Sequence, residues 1–131
     1  METNLAYELV QGWIDTVSEH EVEPILEWYD KDAILLATLG PEPLVGLDEI
    51  ESYFQTFLDY EPLAEITYLY PQRLGMNIIV ADGNYTFELN DEDSEDGRKL
   101  VEARFTFVFK RNSRDKTWYI TSHHSSVTPE E

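Results

Sequence analysis

The chain has 131 residues, of which 42% are hydrophobic, and this predicts one domain over residues 1–131 with a sizeable core. The absence of cysteine excludes disulfides, thiolate nucleophiles and cysteine-based zinc sites. Nine basic and 27 acidic residues leave a net charge of −18, which repels nucleic acid and anionic lipid but is not felt by a small neutral substrate.

Neither a targeting segment nor a membrane segment is predicted. No apolar run approaches the roughly 18 residues that a membrane-spanning helix needs. The opening residues METNLAYELV have neither the basic start nor the long apolar stretch of a signal peptide. We therefore expect a cytoplasmic location, and no nucleic acid or membrane as a partner.

Apolar residues recur at every fourth position at the start of the chain, at Leu5, Leu9, Trp13 and Val17. This spacing predicts a helix with one apolar stripe. The stretch HEVEPILEWYDKDA predicts a second, shorter helix with Pro24 in its first turn. The run AILLAT (residues 33–38) predicts a buried strand, and VGLDEIESYFQTFLDYEP predicts a third helix that Pro62 ends.

The rest of the chain is predicted to be β structure. AEITYLYPQRLG and MNIIVADGNYTFEL predict two strands joined by a turn near Gly75. LVEARFTFVFKR alternates cleanly, so Phe105, Phe107 and Phe109 share one face, and DKTWYITSHHSS predicts a final strand beside it. The pattern indicates an α+β fold in which a curved antiparallel sheet wraps around three N-terminal helices.

The final strand ends in two histidines and two serines, His123 to Ser126. Strict alternation places five residues on one face: Trp118, Ile120, Ser122, His124 and Ser126. If the Trp118 side faces the helices, His124 and Ser126 continue that side outward to the polar mouth of a cavity.

A metal site is not expected. Zinc takes three or four protein ligands, and the chain has only three histidines. His123 and His124 are strand neighbours whose side chains point to opposite faces, and His20 lies far away along the chain. No G-x-S-x-G motif supports a serine nucleophile with an oxyanion hole.

The segments DAILLATLGPEPLVGLDEIESYFQTFL, GNYTFEL, VEARFTFVFKR and WYITSHHSSVTPE carry a family resemblance. The chain resembles the nuclear transport factor 2-like (cone-shaped, SnoaL-like) superfamily, and within it the association domain of calcium/calmodulin-dependent kinase II. It is most similar to the iota-class carbonic anhydrases, which have comparable LLPT, YF, YTF and AR(Y/F)TFV segments and a closing HHHSS. Ser122 stands in place of the first histidine of that ending, and Ala37 stands where the family often has proline.

The resemblance implies a metal-free carbonic anhydrase, which hydrates CO2 reversibly to bicarbonate without a cofactor. It implies that Thr38, Tyr53, His124 and Ser126 surround the substrate as catalytic residues. It also implies three substrate-binding residues in the same cavity: Tyr85, Arg104 and Ser125. A homodimer or higher homo-oligomer is expected from the same likeness.

These residue types suit CO2 hydration without a metal. A side chain must take the proton of the attacking water, and His124 has an unperturbed pKa in the right range. Tyr53 is a second candidate base if Arg104 lowers its pKa. The hydroxyl groups of Thr38 and Ser126 can donate hydrogen bonds to the developing bicarbonate, and Arg104 can hold the anionic product.

Two other functions remain open from the sequence. A purely structural protein would assemble through an apolar sheet face, formed by Phe105, Phe107 and Phe109 with Tyr119 and Thr121 beside them, if no helix covers it. A cone-fold isomerase or cyclase would need a buried acidic base, for which Asp15 is a candidate.

Overall fold

The computed structural model describes the backbone of residues 2–130 and the side chains of residues 5–130. Its elements in chain order are α1 (Glu2–Val17), α2 (Val22–Leu26), β1 (Tyr29–Leu36), β2 (Leu44–Val45), α3 (Leu47–Phe57), a 3₁₀ turn (Leu58–Tyr60), β3 (Leu63–Arg73), β4 (Ile78–Asn90), β5 (Arg98–Arg111) and β6 (Trp118–Val127). Among the described residues, no helix is long and apolar enough to cross a membrane.

The six strands form one curved sheet in the order β2-β1-β6-β5-β4-β3. Strands β3 to β6 form an antiparallel meander, whereas β1 runs parallel to β6. Helix α1 packs on β3 and β4, and α3 packs on β1 and β2. The predicted α+β architecture, a curved sheet around N-terminal helices, is therefore confirmed.

The core lies between the helices and the concave face of the sheet. Phe105, Phe107 and Phe109 are buried there and pack on one another, with Trp13 of α1 edge-on to Phe107 at 5.2 Å. An interface through these rings and Tyr119 was expected only if no helix covered them, and this condition is not met because α1 packs on Phe107. Tyr119 pairs with the exposed Lys110 on the opposite face of the sheet.

The second predicted helix is shorter than its sequence suggests. HEVEPILEWYDKDA was expected to be helical throughout, but α2 ends at Leu26 and β1 begins at Tyr29. The backbone N–H of Ile120 donates to the carbonyl of Trp28 at 2.7 Å, and Tyr29 pairs with Ile120. Strand pairing with the C-terminal end of the chain therefore overrides the local helical pattern.

A β-bulge in β6 changes which side chains face the core. Phe109 pairs with Ile120, but Val108 pairs with Ser122, so Thr121 is an extra residue on β6. Ile120, His123 and Ser125 are all buried as a result. The predicted alternation, which placed Ser122, His124 and Ser126 on the face of Ile120, is wrong beyond this bulge.

Candidate active site

Side chains from both layers of the fold meet around a small buried cavity. Trp13 comes from α1, Tyr85 from β4, and His123 and Ser125 from β6, while Thr38 follows the end of β1. The cavity has a volume of about 10 Å³, which is the room of about one water molecule. The rest of its wall is mainly aromatic and consists of Leu35, Tyr53, Phe54, Phe57 and Phe87.

A chain of hydrogen bonds begins in the core beneath this cavity. Trp13 Nε1 donates to Tyr29 Oη at 3.1 Å, and Tyr29 Oη lies 2.9 Å from His123 Nδ1. On the other side of the imidazole, Nε2 lies 3.3 Å from Tyr85 Oη. His123 thus has a tyrosine hydroxyl at each ring nitrogen, and Phe107 stacks on its ring at 3.9 Å.

The same chain of hydrogen bonds continues from Tyr85 to the cavity. Tyr85 donates to Ser125 Oγ at 2.7 Å, and Ser125 Oγ is hydrogen-bonded to Thr38 Oγ1. Ser125 and Thr38 therefore form the cavity end of a connected set of polar groups. We call this set the polar chain; its members are Trp13, Tyr29, His123, Tyr85, Ser125 and Thr38.

The donor and acceptor of each hydrogen bond in the polar chain can be assigned in turn, starting from the indole N–H of Trp13. Because the indole N–H of Trp13 donates to Tyr29, the hydroxyl hydrogen of Tyr29 is left for His123 Nδ1. A neutral imidazole that accepts at Nδ1 carries its hydrogen on Nε2, from which it donates to Tyr85. Tyr85 donates onward to Ser125. In this resting arrangement the polar chain offers hydrogen-bond donors towards the cavity.

Burial keeps the members of the polar chain uncharged. Desolvation, with a smaller contribution from the neighbouring His124, lowers the pKa of His123 from 6.5 to about 3. Desolvation also raises the pKa of Tyr29 and of Tyr85 above the ordinary value of 10.0. At neutral pH the imidazole is therefore unprotonated and both phenols retain their hydrogens.

Tyr53 and Phe57 separate the buried cavity from a larger space. These two residues line both the cavity and a pocket of about 620 Å³ between α3 and the segment that joins β1 to β2. We call this space the outer pocket. Burial raises the pKa of Tyr53 to about 12, and its hydroxyl accepts a hydrogen bond from the Leu39 amide at 3.4 Å. The expectation of a lowered Tyr53 pKa is wrong, because Arg104 is not nearby to lower it.

The structure brings together four of the residues that the resemblance implied. Thr38, Tyr85 and Ser125 are hydrogen-bonded in one cluster, and Tyr53 lines the same cavity. Their placement agrees with a common site, and their roles in a reaction stay a prediction.

The other implied site residues lie on the outer face of the sheet. His124 is exposed and pairs with Thr106, and Arg104 is exposed and donates to Ser126 Oγ at 3.3 Å. The bulge at Thr121 is the physical reason, since it turns His123 and Ser125 inward in place of His124 and Ser126. The expectation that His124, Ser126 and Arg104 line the cavity is wrong.

The sequence did not predict that Trp13 and Tyr29 belong to the polar chain, and it assigned His123 to the wrong face of β6. Trp13 and Tyr29 were expected only as apolar helix residues, because nothing in the local sequence shows their hydrogen bonds. His123 was considered only as a metal ligand and was placed on the face opposite the cavity. Its partners Tyr29 and Tyr85 lie 94 and 38 residues away along the chain, so no local motif signals them.

Carboxylates and histidines do not converge in the part of the chain that the structure describes. No group of three His, Asp or Glu side chains there could hold a metal ion. His20 Nε2 lies 2.8 Å from the Pro62 carbonyl, remote from the polar chain. Asp15, the candidate base of an isomerase, is exposed and accepts from Gln11 at 2.9 Å, so its expected inward orientation is wrong.

The curved sheet, its covering helices and the enclosed polar cavity define a nuclear transport factor 2-like protein. Residues 3–129 match the family model of the calcium/calmodulin-dependent protein kinase II association domain, and the chain belongs to this family. The resemblance is therefore confirmed at the level of superfamily and family. Membership of the iota-class carbonic anhydrases stays a prediction.

Solved structures agree with this placement. A protein from Xanthomonas campestris, described as an association domain of this kind, is 32% identical, with a TM-score of 0.91 over 100% of this chain and 91% of that chain. The kinase II hub homology domain of Chlamydomonas reinhardtii is 15% identical, with a TM-score of 0.78 over 98% of this chain and 100% of that chain. A nuclear transport factor 2-like protein from Pseudomonas putida is also 15% identical, with a TM-score of 0.76 over 98% of this chain and 87% of that chain. No curated protein matches the sequence significantly.

Proposed function

We propose that this protein is a metal-independent carbonic anhydrase that hydrates CO2 reversibly at the cavity end of the polar chain. The observation that carries the proposal is a buried, uncharged imidazole connected by hydroxyl groups to a cavity of about one water. The hydroxyl groups of Ser125 and Thr38 can orient a water molecule, and His123 can take up its proton.

The reaction proceeds by coupled proton transfers along the polar chain. As the water oxygen bonds to the carbon of CO2, its proton passes to Ser125, the proton of Ser125 passes to Tyr85, and that of Tyr85 passes to His123 Nε2. This step uses the second neutral tautomer of His123, with its hydrogen on Nδ1 and donated to Tyr29. The hydroxyl groups of Tyr85 and Ser125 rotate with it, so that Ser125 donates to Tyr85 and Tyr85 donates to Nε2. The products are bicarbonate and imidazolium, so atoms and charge balance.

The low pKa of His123 governs the second half of the cycle. A buried imidazolium with a pKa of about 3 is a strong acid, so it returns its proton readily once bicarbonate has left. The proton follows the same hydroxyl groups back to a solvent water that replaces bicarbonate. Bicarbonate itself is released easily, because no Lys or Arg is among the described residues that line the cavity.

CO2 reaches the cavity from the outer pocket in this proposal. The cavity has room for about one water, so a three-atom substrate needs movement of Tyr53 or Phe57 at the shared wall. Tyr53 keeps its phenolic hydrogen at neutral pH because its pKa is about 12. It acts as a mobile wall and hydrogen-bond donor, and not as the base.

The test is a stopped-flow measurement of CO2 hydration in the presence of EDTA. The wild type should remain active, and Thr38→Val should lower kcat by ten-fold or more, since valine keeps the shape but removes one hydroxyl donor from the cavity. Activity that chelation abolishes, or a fully active Thr38→Val variant, would show that the reaction does not run through the polar chain.

We also propose that the chain forms homo-oligomers, as its relationship to hub domains suggests. The specific support is an exposed apolar cluster on the outer face of the sheet. Ile34 of β1 pairs with Val45 of β2, and Leu36 lies two residues along β1. Their exposed fractions are 44%, 58% and 37%, in the order Ile34, Val45 and Leu36. Burial of this cluster against a second copy would remove apolar surface from water.

A further inference from the structure

The outer pocket is far larger than CO2 hydration needs. Its volume of about 620 Å³ falls in the range of small-molecule sites, whereas the buried cavity holds about one water. Leu39 and Leu44 contribute to its wall, so an apolar body can be buried there. The pocket therefore has room and surface for a ligand other than the proposed substrate.

Aromatic rings form one side of the outer pocket. Tyr53 and Phe57 stack with their ring centroids 5.5 Å apart, and Tyr60 lies 6.5 Å from Phe57. The face of an aromatic ring is negative and attracts cations within about 6 Å of its centroid. Phe57 is buried, but Tyr60 is 38% exposed and Tyr53 is partly exposed, so these two rings can contact a ligand that is both apolar and positively charged.

Carboxylates form the rim of the same pocket. Glu42, Asp48 and Glu49 line it, and its described lining residues include no Lys, Arg or His. Glu49 Oε1 accepts from the Val45 amide at 2.8 Å, which fixes one carboxylate at the rim. Glu42 and Asp48 are exposed and form no ion pair among the described residues. The pocket therefore repels anions and attracts cations.

We propose that the outer pocket binds a small organic cation with an apolar body, of the class of aryl- or alkylammonium ions. The apolar body covers Tyr53 and Tyr60, and the ammonium group lies towards Glu42 and Asp48. The cavity and its rings set the ligand's size and apolar character, and the carboxylates set the sign of its charge. This inference goes beyond CO2 hydration and does not depend on it.

Three probes of one shape and different charge test the proposal: benzylamine, benzyl alcohol and benzoate. Their dissociation constants are measured by calorimetry at pH 7 and low ionic strength, where benzylamine is a cation. Benzylammonium should bind roughly ten-fold more tightly than benzyl alcohol, and benzoate should bind more weakly than both. Added salt should weaken only the binding of benzylammonium towards that of the alcohol.

A pair of double variants separates the pocket from the overall charge of the protein. Glu42→Gln with Asp48→Asn should lower the affinity for benzylammonium by roughly five-fold and leave that for benzyl alcohol unchanged. Glu92→Gln with Asp93→Asn removes the same charge in the connection between β4 and β5 and should leave both affinities unchanged. Equal affinities for amine and alcohol, or equal losses in both double variants, would overturn the proposal.

Discussion

His123 is unusual among the ionisable side chains because its ring is buried and hydrogen-bonded at both nitrogens while remaining neutral. Tyr29 and Tyr85 contact its two ring nitrogens, and Phe107 stacks on its face. Burial disfavours the imidazolium, which explains why the pKa falls to about 3. The residue is therefore neutral at rest, and under the proposed function it would act as a base only transiently.

The depressed pKa of His123 makes folding stability depend on pH. Below pH 6.5 the unfolded chain binds a proton at this residue and the folded chain does not, so stability falls as the pH drops from 6.5 towards 3. Between pH 7 and pH 5 the loss should be about 2 kcal/mol, at roughly 1.4 kcal/mol per unit. Urea unfolding at the two pH values measures it.

Two histidine variants separate the contribution of His123 to the pH dependence of folding stability from the contribution of the many carboxylates. His123→Gln should lose the extra pH dependence of about 2 kcal/mol, whereas the matched His124→Gln variant on the outer face should behave like the wild type. Identical pH dependence in wild type and His123→Gln would mean that His123 is not neutral in the folded protein.

At the scale of elements, the periodic segments were predictable and the irregular ones were not. The helices α1 and α3 and the strands β3 to β6 each bury one side, and this leaves a period in the sequence. The bulge at Thr121 leaves no signal in the sequence, because threonine is as well suited to a regular strand as to a bulge. The bulge shows only in the pairing of β6 with β5 and β1, and β1 is distant from β6 in sequence.

The same limit explains why the family motif singled out residues that meet at the buried cavity but did not give the orientation of β6. Thr38, Tyr85 and Ser125 lie in segments that the resemblance singled out, and they meet as expected. Alternation then selected His124 over His123, since a one-residue bulge exchanges the two faces of a strand. The start of β1 at Tyr29 was likewise hidden, because its partner Ile120 lies at the other end of the chain.

Gly83 permits the close approach of β3 to β4. A Cβ atom at this position would lie 2.0 Å from the carbonyl oxygen of Tyr68, next to the irregular pairing between Ile66 and Tyr68. Gly83→Ala should therefore lower the free energy of unfolding by more than about 2 kcal/mol, because a backbone must shift. Urea denaturation measures the change.

Gly97 provides the comparison for this prediction. Its φ is +77° and a Cβ atom there would meet nothing within 4 Å, so Gly97→Ala should cost only about 1 kcal/mol. If Gly83→Ala proves no more destabilising than Gly97→Ala, steric contact with β3 does not shape the sheet.

At the scale of the whole molecule, charge and apolar surface act on different partners. Under the proposed function, the net charge of −18 would leave neutral CO2 unaffected and would favour the departure of bicarbonate. It also opposes self-association, so an oligomer must bury enough apolar surface to offset the repulsion. The cluster of Ile34, Leu36 and Val45 is one apolar part of the outer face that such an interface can bury.

Ile34→Asp tests the assembly proposal. The wild type should sediment as a dimer or larger species, and the variant should sediment as a monomer, because a charge would be buried in the interface. Met76→Asp introduces the same charge at a residue that is 75% exposed in the turn between β3 and β4 and should leave the mass unchanged. An oligomer that survives Ile34→Asp would place the interface elsewhere.

The central claim is that CO2 hydration takes place on the inner face of β6, at the polar chain. Ser125 lies on that face and Ser126 on the outer face, so the two adjacent serines form a matched pair. The decisive measurement is CO2 hydration by Ser125→Ala and Ser126→Ala beside the wild type in EDTA. Ser125→Ala should lose ten-fold or more of kcat and Ser126→Ala should keep it. Equal rates in the two variants, or no activity in the wild type, would contradict the claim.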